Sequence, residues 1–595
     1  MAPSWCYGAN ASYPPSLKGM RGSTDASYEV AHALRDGRRY AFSGLPIEGE
    51  ADLIVIGAGI SGLAAAYFYR KASPRSHILV LDNHDDFGGH ARRCEMRVDG
   101  RLLITYGGSE SIQSPDHLWS DRASGLLREL GVETKRFESV FHRTLYPDLG
   151  LSRGLLFKRE AFGTDKLVTG DPTRMVADDI PPGRLNARPV QSFIAGFPLD
   201  ASARERLIAL YTQRRDFWPQ ASVMEKIERL SSMSYRAFLT DYWGLTAQAA
   251  RTFQMRPHDF FAVGIDLLPA FEAASTGYPG FQGLGLPSHD SHIAKVEDPY
   301  IYHFPDGNAS LARLLVRKLV PGVAPGTTMD DIVLAPFDYT RLDSDTATRI
   351  RLESTVVAIR NIPDGVDIAY VHRGTLKRIR AKNVIYAGYS TMLPYLMDEL
   401  KERQRSALAH GVKAPLVYVK MAVRNWQAWV DAGVHDVTNT NGFYSRLKLD
   451  YPVSLGGYKF AGNPQDPIIL HLVHVPIAEK SSDQRTAWRE GRKALHTTSF
   501  ADFEHQAVDE LRRALGKRFE PTRDIAGITV FRWAHGYAYG FNSLFDKEGD
   551  LDRQPLARAR VGRVSIANSD AAWSAYAHAA IDEAARAVEE ALATV

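Results

Sequence analysis

Three glycines and one carboxylate near the start of the chain have the spacing of a dinucleotide-binding site. Gly57, Gly59 and Gly62 form a G-x-G-x-x-G motif, and Asp82 follows about 20 residues further on. In this motif the first glycine allows a tight turn, the second lets the backbone approach a diphosphate, and the third lets a helix pack against a strand. The acid binds a ribose hydroxyl. These residues predict the binding of a dinucleotide cofactor.

The segments around the glycines are those that such a site needs. Leu53 to Ile56 is a short apolar run typical of a buried parallel strand, and Leu63 to Lys71 has the pattern of a helix whose first N–H groups face the phosphates. His77 to Leu81 is a second apolar strand that ends on the acid. The alternative is a glycine-rich turn that packs closely and binds no ligand. The predicted contacts are Gly57, Gly59, Ile60, Ser61, Gly62, Asp82 and Asn83.

Composition excludes several classes of protein. The 595 residues are 45% hydrophobic and 24% charged with a net charge of +3, so neither nucleic acid nor a membrane surface is indicated as a partner. The two cysteines, Cys6 and Cys94, exclude a disulfide framework and a paired redox or metal motif. The longest apolar stretch, Leu53 to Tyr69, belongs to the glycine-rich unit, and no membrane span is expected. No export signal is visible, which predicts a cytoplasmic location, or a periplasmic one if a signal has been removed.

Two further glycine pairs follow the second strand. Gly88 and Gly89 come soon after the acid, and Gly107 and Gly108 lead into a serine-rich segment. The acidic strand end and the two pairs resemble the flavin-containing amine oxidase superfamily, whose members bind FAD. The resemblance implies cofactor contacts at Gly88, Gly89, His90, Arg92, Gly108 and Ser109.

One position departs from the superfamily pattern. The first pair there reads Gly-Gly-Arg, whereas His90 follows the glycines here. We therefore expect the phosphate contact of that arginine to pass to Arg92 or Arg93.

Later segments resemble the remaining flavin contacts of the superfamily. Val356 and Ile359 fit the strand that pairs with adenine, and Ala387 ends a strand beneath the cofactor. Near the end of the chain the resemblance implies that Asp570 binds the ribityl chain of FAD. It also implies that Ala577, at a helix start, contacts the isoalloxazine ring. The alternative for Asp570 is that it only caps a helix.

Five stretches resemble one branch of that superfamily, the spermidine dehydrogenases. Members of that branch are FAD proteins that oxidise a polyamine, and some also carry haem. The resemblance therefore implies a small-molecule amine substrate and makes haem a second candidate cofactor. The stretches are Tyr13 to Ser23, Tyr106 to Pro115, Gly280 to Leu286, Arg532 to Asp546 and Asn568 to Val588.

Two residues weaken the attraction for a polycation. Gly540 stands where an acid is expected, and Lys420 adds a cation to a strand. Two alternatives therefore stay open. One is oxidation of another C–N or C–C bond on the same scaffold, as in natural-product biosynthesis, and the other is a non-catalytic flavin-binding protein.

Amine oxidation needs a neutral nitrogen when hydride leaves the adjacent carbon for the flavin, after which water hydrolyses the imine. An aromatic, desolvated pocket favours that neutral form. Trp533, His535, Tyr537 and Tyr539 alternate along a strand-like segment and are predicted to line such a pocket, or else to form aromatic core. The catalytic candidates are Glu110, His535, Tyr537, Tyr539 and Lys420.

Other candidates lie further from the glycine motifs. Asp266 and Glu272 are candidate acids for binding a distal amine, and His142, His258 and His303 are candidate haem ligands. No metal site is expected. The electron acceptor is left open between oxygen, a quinone and a haem or cytochrome.

The predicted fold class is α/β, with a Rossmann-like FAD-binding domain and an inserted α+β substrate domain. Residues 1–50 form an N-terminal arm. The FAD-binding domain comprises 51–115, 300–391 and 531–595, and the substrate domain comprises 116–299 and 392–530.

Overall fold

The computed structural model describes residues 13–175, 178–287, 302–478 and 481–593. Its strands form an eight-stranded sheet, a seven-stranded sheet and a two-stranded ribbon. The strands in these residues are β1 Gly19–Gly22, β2 Ile47–Ile56, β3 Ile78–Leu81, β4 Arg93–Val98, β5 Arg101–Tyr106, β6 Ser152–Phe157, β7 Lys166–Thr169, β8 Thr348–Arg351, β9 Ser354–Ile362, β10 Gly365–His372, β11 Thr375–Tyr386, β12 Ala414–Val423, β13 Val434–Asn439, β14 Arg446–Leu449, β15 Ile468–His474, β16 Ile525–Tyr537 and β17 Val564–Ile566.

Helices connect and cover the sheets. Those of eight residues or more within the described ranges are α1 Asp25–Arg35, α2 Ile60–Ala72, α3 Asp121–Glu129, α4 Ala201–Thr212, α5 Val223–Ser231, α6 Ala309–Leu319, α7 Glu402–His410, α8 Gln484–Thr497, α9 Phe500–Leu515 and α10 Ala577–Leu592. None of the described helices is long and apolar enough to cross a membrane.

The seven-stranded sheet holds the glycine motif. Its order is β8-β3-β2-β11-β10-β9, with β17 also paired to β11. Strands β8, β3, β2, β11 and β17 run parallel, and β9 and β10 are antiparallel to their neighbours. The predicted strand Leu53 to Ile56 is the buried end of β2, and α2 packs against the sheet and against α6 and α10. The short apolar runs thus form the parallel core that they predict.

Element limits differ in two informative places. Helix α2 begins at Ile60, three residues before the predicted start, so Gly62 lies in its first turn. The sequence predicts two strands, at 376–379 and 383–388, whereas β11 runs through both as one strand. No glycine or proline interrupts this segment, and its buried residues continue across the supposed gap.

The eight-stranded sheet forms the wall opposite the glycine motif. Its order is β1-β16-β12-β15-β14-β13-β6-β7. Strand β1, from the N-terminal arm, pairs in parallel with β16, so the arm is part of this sheet. Strand β16 crosses residue 531, where the sequence places a domain limit, and it pairs with β12. The division into domains given above remains a prediction.

Candidate active site

A cavity lies between the two large sheets. Its volume is about 920 Å³. One part is lined by the glycine motif and the strand ends of the seven-stranded sheet, and another by β6, β13, β14 and β15 of the eight-stranded sheet. We call the second part the inner chamber and define it by Glu110, Asp259, Tyr418, Arg446, Lys448 and Tyr537, all of which line it.

The glycine motif forms a backbone cradle in which side chains would not fit. Gly57 has φ +108°, and a Cβ there would lie 2.8 Å from the carbonyl oxygen of Ala387. A Cβ on Gly62 would lie 1.8 Å from the carbonyl oxygen of Gly57. Gly59 and Gly89 are in similarly close contact, since a Cβ on Gly89 would lie 3.0 Å from the Cα of Gly59. The two glycine-rich turns therefore meet at one place, and this close backbone approach is what a diphosphate needs.

Asp82 is held at the end of β3 by its neighbours. Its carboxylate accepts hydrogen bonds from the backbone N–H of Ala58 at 2.7 Å and of His84 at 2.8 Å. Burial opposes ionisation, but His84 and the two N–H groups outweigh it, so the pKa of Asp82 is lowered. Asn83 donates to the carbonyl oxygen of Ser27 at 2.5 Å. The acid is thus a fixed carboxylate on the cavity wall, as a ribose ligand must be.

Most of the predicted cofactor contacts line this cavity together. The residues that do so are Gly57, Gly59, Ile60, Ser61, Asp82, Asn83, Gly88, Gly89, His90, Gly108, Ser109, Val356, Ala387 and Ala577. The predicted contacts Gly62, Arg92 and Asp570 do not line it; Gly62 packs behind Gly57 instead.

The arginines expected to replace the superfamily arginine are already paired. The guanidinium of Arg92 lies 3.2 Å from Asp86 and donates to the carbonyl oxygen of Gly89 at 3.1 Å. Arg93 lies 2.8 Å from Asp306. His90 does line the cavity, but burial and the ammonium of Lys413 lower its pKa to about 3, so its ring is neutral at pH 7. Neither arginine brings its charge to the cavity wall.

Asp570 likewise turns away from the cavity. Its carboxylate is ion-paired with Lys413 and accepts a hydrogen bond from the N–H of Ser390 at 3.0 Å. Asn568 and Ser569, just before it, line the cavity instead. The C-terminal segment therefore reaches the cavity, but through neighbours of the predicted acid.

Three of the four alternating aromatic positions line the cavity. Trp533, His535 and Tyr537 do so, and the hydroxyl of Tyr537 donates to the carbonyl oxygen of Asp259 at 2.6 Å. Burial, with Arg492 and Lys413, lowers the pKa of His535 well below its usual value.

Tyr539 lies beyond the end of β16 and outside the cavity lining. Its hydroxyl donates to Asp546 and accepts a hydrogen bond from Arg485 at 2.9 Å. The alternation of a strand ends at Tyr537, so this residue falls in a buried polar cluster.

Lys420 is buried behind the inner chamber. Its Nζ lies 3.3 Å from the ring centroid of Tyr106 and 3.8 Å from Asp450. Burial lowers its pKa to about 8, although Asp450 opposes the shift. It does not line the cavity. At Gly540 an added Cβ would have no atom within 4 Å, so the missing acid leaves open space.

Glu110 is the carboxylate of the inner chamber without an internal partner. It directly follows Ser109 in the turn after the second glycine pair. Among the residues that the structure describes, no hydrogen bond or ion pair engages its side chain. Glu110 acts electrostatically on Lys448 and Lys420 without forming an ion pair with either, so its oxygens are open to a cationic ligand.

Several charged residues that line the cavity are not predicted from the sequence. Asp171 pairs with Arg256 at 2.7 Å, Asp178 with Arg153 at 2.5 Å, and Asp259 and Asp436 with Arg446 at 2.6 and 2.5 Å. Lys448 lies 3.5 Å above the ring of Tyr451 and forms no ion pair with any described residue. The alternation of Arg446 and Lys448 along one short strand is a usable signal, but Asp259, one of the two partners of Arg446, lies far away in sequence.

The remaining candidates lie away from the cavity lining. Asp266 accepts a hydrogen bond from Gln254 at 2.7 Å, and burial raises the pKa of Glu272. His142, His258 and His303 do not line the cavity either. In the described ranges no cluster of three or more His, Cys, Asp or Glu side chains could hold a metal ion.

Comparisons with known proteins bear on the fold. Residues 55–126 match the model of the NAD(P)-binding Rossmann-like domain. A search of curated proteins found no match. Among solved structures, putrescine oxidase bound to putrescine is similar, with 16% identity, a TM-score of 0.52, and coverage of 91% of this chain and 99% of that chain.

Two other solved structures give the same result. Cyclohexylamine oxidase from Brevibacterium oxydans has 16% identity, a TM-score of 0.50, and coverage of 91% of this chain and 99% of its own. A proposed protoporphyrinogen oxidase from Exiguobacterium has 13% identity, a TM-score of 0.55, and coverage of 92% and 99%. The fold is amine oxidase-like. The predicted α/β class with a Rossmann-like domain is confirmed, and at these identities the similarity extends to the fold alone.

Proposed function

We propose that this protein is an FAD-dependent oxidoreductase that oxidises an amine at the carbon next to nitrogen. The observation that carries the proposal is the position of Glu110. This unpaired carboxylate sits beside the second glycine pair, in the same cavity as the dinucleotide cradle and next to the aromatic wall of Tyr418 and Tyr537.

The residues present fit FAD. The backbone cradle around Gly57 and Gly89 would accept a diphosphate, Asp82 would offer a fixed carboxylate to a ribose, and Val356, the proposed adenine contact, lines the same cavity. When bound, FAD supplies the acceptor for the hydride. Haem has no comparable support, because none of the histidines considered for it lines the cavity.

The side chains of the inner chamber prepare the amine. The Glu110 carboxylate binds the incoming ammonium by charge. The rings of Tyr418 and Tyr537 exclude water and stabilise positive charge on the nitrogen. The ammonium gives its proton to water as it enters the chamber, because the desolvated site favours the neutral amine, the form from which hydride leaves. An imine released into water is then hydrolysed.

A polyamine is the first candidate substrate. Four carboxylates that line the cavity, Asp171, Asp178, Asp259 and Asp436, are paired with arginines, whereas Glu110 forms no ion pair with a described residue. This unpaired carboxylate favours a cationic ligand. The resemblance to spermidine dehydrogenases supports the same choice.

An amine that also bears an anionic group is the second candidate. Lys448 lines the chamber without an ion-pair partner among the described residues, and the aspartates beside it are already paired. Such a cation would bind a carboxylate at the far end of a substrate. Lys448 and Glu110 would then hold opposite ends of one molecule.

A substrate panel separates these candidates. FAD-loaded protein would be incubated with a dye acceptor and with spermidine, putrescine, a monoamine or an ω-amino acid, and the aldehyde product would be identified by mass spectrometry. Turnover of spermidine and putrescine supports the polyamine assignment, and turnover of only the amino acid supports the second candidate. No aldehyde from any amine would overturn amine oxidation and leave another substrate or a non-catalytic flavoprotein.

A further inference from the structure

Helix α8 presents a row of basic side chains to the cavity. Arg489, Arg492, Lys493 and His496 are spaced i, i+3, i+4 and i+7, which places them on one face of the helix. All four line the cavity. We call them the α8 basic face. No acidic residue of α8 lines the cavity with them.

The α8 basic face lies near the part of the cavity that Asp82 marks. The ring of His496 packs against Tyr28 and His32 of α1, at centroid distances of 5.3 and 5.5 Å. Helix α1 is tied to the strand end after Asp82, because Asn83 donates to the carbonyl oxygen of Ser27 at 2.5 Å. The basic face therefore borders the dinucleotide part of the cavity.

Arg492 is held in position by hydrogen bonds to two backbone carbonyl groups. Its Nε donates to the carbonyl oxygen of Ala534 at 2.8 Å, and its Nη2 donates to that of Lys413 at 2.6 Å. Its Nη1 has no partner among the described residues, and no carboxylate there forms an ion pair with it. Burial and the neighbouring Arg489 lower its pKa to about 10. An anion in the cavity would relieve this unpaired charge.

Other cations near the cradle are engaged or neutral. Two of them line the cavity: Arg35 pairs with Asp36 at 2.7 Å, and Arg532 donates to the carbonyl oxygen of Ser23 at 2.8 Å and lies 3.7 Å from Asp25. Arg92 and Arg93 are paired with aspartates, Lys413 is paired with Asp570, and His90 is neutral. The ring of Tyr389 packs on His90 at 6.0 Å and on His535 at 4.9 Å, and Arg492 acts electrostatically on both Tyr389 and His535. Arg492 thus reaches the group of rings that adjoins the glycine cradle.

We propose that Arg492, supported by the rest of the α8 basic face, binds the diphosphate of the dinucleotide cofactor and replaces the arginine that His90 has displaced. Residue 492 lies in the segment 392–530, so the cofactor joins this segment to the glycine motif. The proposal rests on the FAD part of the proposed function and is independent of the substrate.

Ligand affinity of the apoprotein tests the proposal without any turnover. FAD binding would be followed by quenching of flavin fluorescence, and ADP and adenosine binding by calorimetry. We expect Arg492→Gln to weaken FAD and ADP by about 10–100-fold, a range that corresponds to the loss of a charge-assisted hydrogen bond. Adenosine, which has no phosphate, should be unaffected. Arg492→Lys should recover part of the loss.

One further variant is a control, and a second tests the α8 basic face without changing a buried position. Arg512→Gln removes an exposed charge of α9 and should leave binding unchanged. The double variant Arg489→Gln/Lys493→Gln changes only exposed positions, and we expect it to weaken FAD several-fold and to reduce the dependence of binding on salt.

Unchanged FAD affinity in Arg492→Gln would overturn the proposal, and so would equal losses of affinity for ADP and adenosine. If Arg492→Gln does not fold, unchanged FAD affinity in the exposed double variant would overturn it. If the wild-type protein itself failed to bind FAD, the proposed function would fail instead.

Discussion

The carboxylate of Asp570 and the ammonium of Lys413 form a buried ion pair beside the cofactor cavity. The pair joins the start of the C-terminal segment to the residue just before β12, and Asp570 also accepts the N–H of Ser390. Three distant parts of the chain are thus tied at one carboxylate, which the sequence assigns to the ribityl chain.

Lys413→Met should destabilise the protein, because it leaves the Asp570 carboxylate buried without a countercharge. We expect a loss of about 3–5 kcal/mol in the free energy of unfolding. The double variant Lys413→Met/Asp570→Asn should recover most of that loss. Urea unfolding of both variants and of Asp570→Asn measures the coupling; a loss in the double variant equal to the sum of the two single losses would show that the pair is not coupled.

Gly62→Ala should weaken FAD binding. The added Cβ would lie 1.8 Å from the carbonyl oxygen of Gly57, so the first turn of α2 must move away from the cradle. We expect FAD affinity to fall by more than about tenfold. Gly49→Ala is the matched control, since its Cβ would meet no atom within 4 Å. Flavin content of the purified variants decides the matter, and a normal content in Gly62→Ala would contradict the cradle geometry.

Glu110→Gln should weaken the amine and not the cofactor. Loss of the free carboxylate is expected to lower kcat/KM for an amine by about 10–100-fold, chiefly through KM. FAD affinity should stay the same. Glu402→Gln, at an exposed position on α7, is the control. An unchanged kcat/KM in Glu110→Gln would show that Glu110 does not bind the amine.

Lys420→Met should stabilise the folded protein in a pH-dependent way. The folded state lowers the pKa of Lys420 from 10.5 to about 8, so the unfolded chain binds the proton more tightly between these values. Wild-type stability therefore rises with pH across this window. Below pH 8 the variant should gain about 3 kcal/mol, and the gain should vanish above pH 10.5.

The exposed Lys401→Met is the control for that experiment. Thermal unfolding at pH 7, 9 and 10.5 provides the measurement. A constant difference between variant and wild type at all three values would mean that Lys420 is not neutralised on folding.

Features that depend on local contacts can be predicted from the sequence, and features that depend on contacts between distant segments cannot. The strand, turn, helix and acid from Leu53 to Asp82 were predicted because their contacts are local and backbone geometry allows few residues at each turn. The side-chain direction of Asp570 could not be predicted, because its partner Lys413 belongs to another part of the chain. The same holds for Arg446, whose partner Asp259 is remote in sequence.

The role of helix α8 could not be predicted from the sequence for a different reason. Its basic face has helical spacing, but a row of charges usually marks a face exposed to solvent. Only the position of the helix over the cavity gives Arg492 and its neighbours a role. The same dependence on tertiary position explains Tyr539, which continues an alternating pattern past the end of β16 and leaves the cavity.

The most direct test of the account is the absorption spectrum of the FAD-loaded protein during anaerobic addition of spermidine and then of other amines. The account predicts that the oxidised flavin band at about 450 nm bleaches, with Glu110→Gln bleaching more slowly at equal amine concentration. A flavin band that remains unchanged with every amine would contradict amine oxidation, even if the cofactor is bound as described.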